Sequence, residues 1–444
     1  MARWYAEYAW LGDRFAPDVV IEADDSVFTA VTPDASAPPA GTVRLSGLTL
    51  PGLANAHSHA FHRALRGRTQ ADRGSFWTWR EQMYQVADRL TPDSYLRLAR
   101  ATYAEMALAG ITCVGEFHYL HHGPGGQRYD NPNAMADALF EAAHQAGIRM
   151  TLLDTLYLSG GVEQALEGPQ LRFGDGSAEA WADRVDAIVP PADARLGCAI
   201  HSVRAVPFGS MEPLVAWSHH RGAPLHVHLS EQRTENEACL ARYQRTPTRL
   251  LAEAGALGPR TTVVHATHLT ETDITKLGGA RVFVCMCPTT ERDLADGIGP
   301  ARVLADRGVT LTLGTDSHAM IDMFEEARAV ELNERLDTEE RGHWTAAELL
   351  AGATAAGHAS LGWPDAGVIA AGSQADLVTL DLSSVRLAGA SRDALAESVI
   401  FSATAADVRH VVVAGRDVVR DGWHLLVPDV AGELDRVIGE VLTG

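Results

Sequence analysis

Short apolar runs recur along the middle of this chain, most of them followed by a helix-like segment. Eight runs read as strands: Leu53–His57, Ile111–Glu116, Met150–Thr155, Leu196–His201, Leu225–Leu229, Thr262–Ala266, Val282–Met286 and Thr310–Thr315. Helices are predicted at Asp93–Ala109, Ala134–Ala146, Met211–His220 and Met323–Leu336. Gly110 and Gly147 close two of them, as a residue just past a helix C-terminus does. Regular alternation of strand and helix predicts an α/β chain built on a closed parallel (β/α)8 TIM-like barrel. An open, doubly wound sheet would carry a glycine-rich turn after its first strand, and this sequence has none.

The two ends read differently. Val19–Leu50 and Val368–Leu426 are rich in Val, Leu, Thr and Gly and suggest short strands joined by turns, as at Ala375–Leu380 and Val408–Val413. No helix of consequence is expected in either end before the last residues. The expected division is therefore a barrel over 51–365, with 1–50 and 366–444 pairing into one small composite β-sandwich domain.

Composition narrows the class of function. The chain has 444 residues, 46% of them hydrophobic, enough for a large core plus a satellite domain. Its formal charge of −20 repels phosphates, so neither nucleic acid nor an anionic membrane is an expected partner. An anionic small-molecule substrate would need local arginines to overcome that field. No apolar run approaches the ~18 residues of a membrane span, and no signal peptide is evident. Five cysteines, odd in number and without a CxxC pair, fit a reducing cytoplasm, and Cys285 and Cys287 read as small apolar fillers on one strand face.

Chemistry-bearing residues gather at the C-terminal ends of the predicted strands, where barrel active sites are built. The first strand ends in Asn55-Ala56-His57-Ser58-His59, and residues two apart on a strand share a face, so both imidazoles can grip one ion. The fifth strand offers His226 and His228, the sixth His265, and the eighth Asp316. His228, nearer the strand end, is the expected ligand, with His226 hydrogen-bonded deeper in the barrel. Three imidazoles (His57, His59, His228) and the Asp316 carboxylate suit one divalent ion, Zn²⁺ or alternatively Fe²⁺. Such an ion lowers the pKa of a bound water to about 7. Asp316 is placed to take that water's proton, Glu231 to carry a proton to a leaving nitrogen, and His265 to direct the water. His118, His121 and His122 read as solvated loop or supporting histidines rather than a second metal set.

Pro51 through His59, together with Gly372-Ser373-Gln374-Ala375-Asp376-Leu377, resembles the signature segments of the amidohydrolase superfamily. The resemblance runs nearly end to end. It implies a one-metal aminohydrolase, because two-metal members bridge their ions through a strand-4 lysine where this chain has Ala199-Ile200-His201. More narrowly, five segments are similar to the N-formimino-L-glutamate deiminase family: His57–Phe61, Phe76–Arg80, Glu116–Tyr119, His201–Val206 and Val264–His268. That resemblance implies hydrolytic deimination to N-formyl-L-glutamate and ammonia in histidine degradation. It also implies that Arg80, Tyr119, His201 and Arg204 hold the substrate's two carboxylates. The chain departs from the family at His62, where glutamine is usual at the substrate's carboxylate end. A close carboxylate analogue therefore stays open as substrate, as does a heterocycle such as guanine or cytosine, although a neutral ring has no use for the arginines. A non-catalytic scaffold would need neither Glu231 nor Asp316. Barrels of this kind often dimerise, so a homodimer is expected.

Overall fold

The computed structural model describes residues 2–70 and 73–443. Eight parallel strands run in sequence order around one sheet: Leu53–Ser58, Ile111–His118, Arg149–Leu156, Ala194–Ile200, Leu225–Leu229, Thr261–His265, Phe283–Met286 and Thr310–Leu313. They match the expected strands to within two residues at each end. Helices at Pro92–Leu108, Ala134–Ala146, Glu212–Arg221 and Met323–Thr338 likewise fall where the sequence puts them. Most barrel strands are buried along their whole length, which is why they read as near-continuous apolar runs rather than alternating ones.

The sheet closes between its first and last strands, and closure is what assembles the chemistry. The Asp316 backbone N–H donates to the His57 carbonyl at 3.0 Å, and the His59 N–H donates to the Asp316 carbonyl at 3.2 Å. The Asn55 amide spans the same seam, donating to Thr315 Oγ1 at 2.7 Å and accepting from the Thr315 N–H at 2.9 Å. Gly314 is required there: a Cβ would lie 2.7 Å from His57 Cβ and 2.9 Å from its nitrogen.

A second eight-stranded sheet draws on both ends of the chain. Ala2–Trp10, Phe15–Asp24, Val27–Thr32 and Val43–Pro51 come from the N-terminal end. Leu377–Leu380, Val408–Val413, Arg416–Arg420 and Trp423–His424 come from the C-terminal end. The halves join where Val43–Pro51 pairs antiparallel with Leu377–Leu380. Two expectations need correction. The strand Ala2–Trp10 lies ahead of the region read as strand-forming. A register shift between Ala6 and Tyr8 reverses which residues face inward, and that breaks the alternation. The C-terminal half also contains a helix, Leu395–Ser402, whose Leu395, Val399 and Ile400 are buried at the spacing of one helical face. Among the described residues no helix is long and apolar enough to cross a membrane.

The Gly372–Leu377 segment locks this second sheet to the barrel. Asp376 accepts from Arg149 Nε at 2.9 Å and from the Ala414 N–H at 2.7 Å, while its carbonyl accepts from the Gly52 N–H at 3.0 Å. Both partners of the Arg149–Asp376 pair are almost fully buried. Asp376→Ala would leave the guanidinium buried without its counter-charge, at a cost of about 3–5 kcal/mol. A marked fall in the urea denaturation midpoint is the expected reading, and an unchanged midpoint would reject this role.

Candidate active site

His57 and His59 project from the end of the first barrel strand, His228 from the fifth, and Asp316 follows the eighth; all are buried. His57 Nε2 lies 3.1 Å from His228 Nε2 and 3.4 Å from Asp316 Oδ1, and His59 Nε2 is 3.4 Å from the same oxygen. Backbone carbonyls fix the tautomers. Only a ring N–H can bond to a carbonyl, so His59 Nδ1 donates to Phe117 and His228 Nδ1 donates to His201, each at 3.0 Å. Both Nε2 atoms therefore present lone pairs inward. Burial lowers the pKa of all three imidazoles, to about 3 for His59, where the neighbouring His57 adds to the effect. Burial alone would raise the Asp316 pKa, but the hydrogen bond and charge from His57, with His265 and His59, hold it well below the usual carboxylate range. Neutral nitrogens and an ionised oxygen crowded together out of water form an acceptor set that a cation satisfies. The residues present thus fit a divalent metal ion.

His265 stands beside this cluster. Its Nδ1 is 3.3 Å from Glu291 Oε1, and its Nε2 faces Asp316 Oδ2 at 3.8 Å and Glu231 Oε1 at 3.9 Å. Burial opposes protonation, but these three carboxylates outweigh it and raise the His265 pKa well above the ordinary imidazole value. Glu231 is itself buried, and burial pushes its carboxyl up, offset in part by His265 and Arg204. The turns that aim these groups are tight. Ser230, His265, Ala266 and Asp316 all have positive φ, between 45° and 67°, a region L-residues occupy only where surrounding contacts demand it. Those contacts include the Ala266 N–H to the Leu229 carbonyl and the His268 N–H to the Ser230 carbonyl.

Above the cluster opens a cavity. Its wall takes in every site residue read from the sequence except His57, which lies fully buried beneath it. His62 Nε2 lies 3.0 Å from the Tyr119 hydroxyl, so the histidine found at the expected glutamine position still makes a polar contact in the cavity. The Arg80 guanidinium stacks over Trp77 at 4.5 Å and is half-buried. His201 Nδ1 is 3.1 Å from Ser202 Oγ, and burial with the nearby Arg204 keeps its pKa well below normal. Arg204 reaches Glu235 Oε2 with Nε at 2.7 Å and sits 3.8 Å from Glu231 Oε2. His226 is buried and bonded to the Ser360 carbonyl at 3.2 Å, away from the cavity.

Several contributors went unread in the sequence. Glu291 supports His265 from the segment after the seventh strand, and Glu235 holds Arg204 from the first turn of helix Arg233–Tyr243. Tyr84, Tyr157 and Phe173 complete an aromatic wall. No short motif marks them; only the fold brings them in. The His118, His121 and His122 expectation also changes, because all three are buried rather than solvated. His118 and His121 approach Asp154, but both oxygens of that carboxylate already accept from Arg184, at 2.8 and 2.9 Å. The guanidinium holds the place a second cation would want. All five cysteines are buried and unpaired.

A family model described as "Amidohydrolase family" matches residues 48–418. The chain is 38% identical to a formimidoylglutamate deiminase of Pseudomonas aeruginosa, with all of both chains covered. Among solved structures, an amidohydrolase from Brucella melitensis superposes with a TM-score of 0.90 at 32% identity, covering all of both chains. An adenosine deaminase from Xanthomonas campestris, solved with bound zinc, gives a TM-score of 0.82 at 25% identity, covering 98% of each chain.

Proposed function

This chain belongs to the amidohydrolase family, and from that premise we propose that it hydrolyses N-formimino-L-glutamate to N-formyl-L-glutamate and ammonia. The reading rests chiefly on one observation: Arg80 and Arg204 line the same cavity whose floor is the histidine–aspartate cluster. In a protein of charge −20, two guanidinium groups at a buried site suit a substrate with two carboxylates. The full-length similarity to a formimidoylglutamate deiminase supports the same substrate.

His57, His59, His228 and Asp316 would hold one divalent ion, and the zinc of the adenosine deaminase relative makes Zn²⁺ the preferred candidate. When bound, such an ion supplies Lewis acidity that readies a water for attack at neutral pH. The protein's own groups do the rest. His265 Nε2 orients the water toward the formimino carbon, and Asp316 Oδ2, facing it at 3.8 Å, accepts the water's proton. Glu231, whose carboxyl burial pushes up, passes a proton to the departing nitrogen. The water oxygen adds to the formimino carbon as the C=N π bond opens, and the two water protons reach the nitrogen by way of Asp316 and Glu231; the C–N bond then breaks as the C=O forms, ammonia leaves, and the formyl product remains. Tyr119, His62, His201 and the two arginines position the glutamate portion. The aromatic wall limits water around the reacting carbon.

The direct test is purified, metal-replete protein with N-formimino-L-glutamate, followed by ammonia release. Steady turnover is expected; none at full metal occupancy rejects the substrate. The rival reading, a ring deaminase, shares the cluster but not the need for cations. Arg204→Met is therefore expected to lower kcat/KM for the glutamate derivative by about 10²-fold or more, because charge-assisted hydrogen bonds are lost. A loss of only a few-fold would favour the ring deaminase.

A further inference from the structure

We propose that Glu235 is a positioning residue for this reaction, orienting the Arg204 guanidinium and tying it to the turn that carries Glu231. The inference rests on the function proposed above, in which Arg204 holds a substrate carboxylate. Glu235 is 1% exposed, yet it is an acid, and each of its oxygens meets a hydrogen-bond donor. Its Oε2 accepts from Arg204 Nε at 2.7 Å, and its Oε1 accepts from the Ser230 N–H at 2.9 Å. Ser230 holds a left-handed conformation (φ 51°) and directly precedes Glu231. One carboxylate thus bridges the anion-binding arginine and the backbone that aims the proton carrier.

The alternative partner shows why the bridge matters. The other carboxylate within 4 Å of Arg204 among the described residues is Glu231, at 3.8 Å. An Arg204 freed from Glu235 would be drawn onto Glu231. That new ion pair would compete with the substrate carboxylate for the guanidinium and would bind the side chain that must move a proton. Glu235 occupies the Nε edge of the fork. It leaves the remaining N–H groups to the cavity, which Arg204 lines beside His201 and Tyr157. A second cavity, lined by Arg204 and Glu235 together, lies against the same pair.

Glu235→Gln tests this selectively. The amide oxygen can still accept from Ser230, but its NH₂ would face the Arg204 Nε–H donor to donor. With N-formimino-L-glutamate, KM is expected to rise roughly 10- to 100-fold, the worth of a charge-assisted hydrogen bond, with a smaller change in kcat. In an Arg204→Met background the same substitution should change KM less than twofold, because its effect runs through the arginine. A second readout needs no substrate: the Arg204 Nε–H proton resonance should be protected from solvent exchange in the wild type and lose that protection in Glu235→Gln. An unaltered resonance overturns the proposal, as does an additive KM effect in the Arg204→Met background. A wild-type protein inert toward the compound but with the expected loss of protection would sink the substrate reading and leave the positioning contact standing. Should Glu235→Gln not fold, Glu235→Asp, too short to bridge both partners, should give the same pattern at smaller amplitude. Wild-type KM and protection in that variant would overturn the role.

Discussion

Glu231→Gln is expected to lower kcat on the order of 10³-fold, within the span that a single acid–base group contributes. Glutamine keeps the shape and volume of the side chain and can still meet Arg204, 3.8 Å away, through its carbonyl oxygen. What it cannot do is take up and release a proton. Glu231 belongs to none of the groups of candidate metal ligands, so metal content should match the wild type, and substrate affinity should stay within a few-fold. Ammonia release and metal analysis on the same preparation check both halves. Turnover within tenfold of wild type would mean that another group moves the proton.

Asp316→Asn should be more damaging still, on the order of 10⁴-fold in kcat, the upper end of the acid–base range. Two functions fall on that carboxylate. Oδ1 lies 3.4 Å from both His57 Nε2 and His59 Nε2, and Oδ2 faces His265 Nε2 at 3.8 Å. An amide removes both the negative charge that the cluster offers a cation and the base. Retained metal should fall along with activity. In the same vein, dialysis of the wild type against a chelator should abolish turnover, and one equivalent of a divalent ion should restore it. Activity that survives complete metal removal would overturn the mechanism, not merely the identity of the ion.

Much of the barrel and its floor was legible because strand geometry converts sequence spacing into direction. His57 and His59, two apart, had to share a face, and the strand-end positions of His228, His265 and Asp316 pointed to the same mouth. The choice of His228 over His226 followed from depth along one strand, and His226 does lie on the Ser360 carbonyl. Residues whose roles depend on tertiary approach were not legible. Glu235 looks like an ordinary first-turn helix acid, and only the backward fold of its side chain onto Ser230 and Arg204 gives it a task. Glu291 serves His265 across a neighbouring strand, with no sequence neighbour to betray it. His118, His121 and His122 looked like loop residues from their polar company, but Arg184, from helix Ala178–Asp186, closes over their acidic partners and takes them out of water. Ala2–Trp10 escaped because a single irregularity near Glu7 switches the inward face midway along the strand.

The Asn55–Thr315 seam has a consequence for how the protein comes into being. The earliest and latest strands of the cylinder are joined there by an amide clasp, and the candidate ligands sit on either side of it, residues 57 and 59 on one lip and 316 on the other. During synthesis on the ribosome the chain must emerge past residue 316 of its 444 before those lips can meet. A nascent or prematurely terminated product therefore exposes histidines without the acid that would complete their coordination of an ion. Competence to capture an ion would be gained in one event, and a captured ion would in turn staple the ring shut.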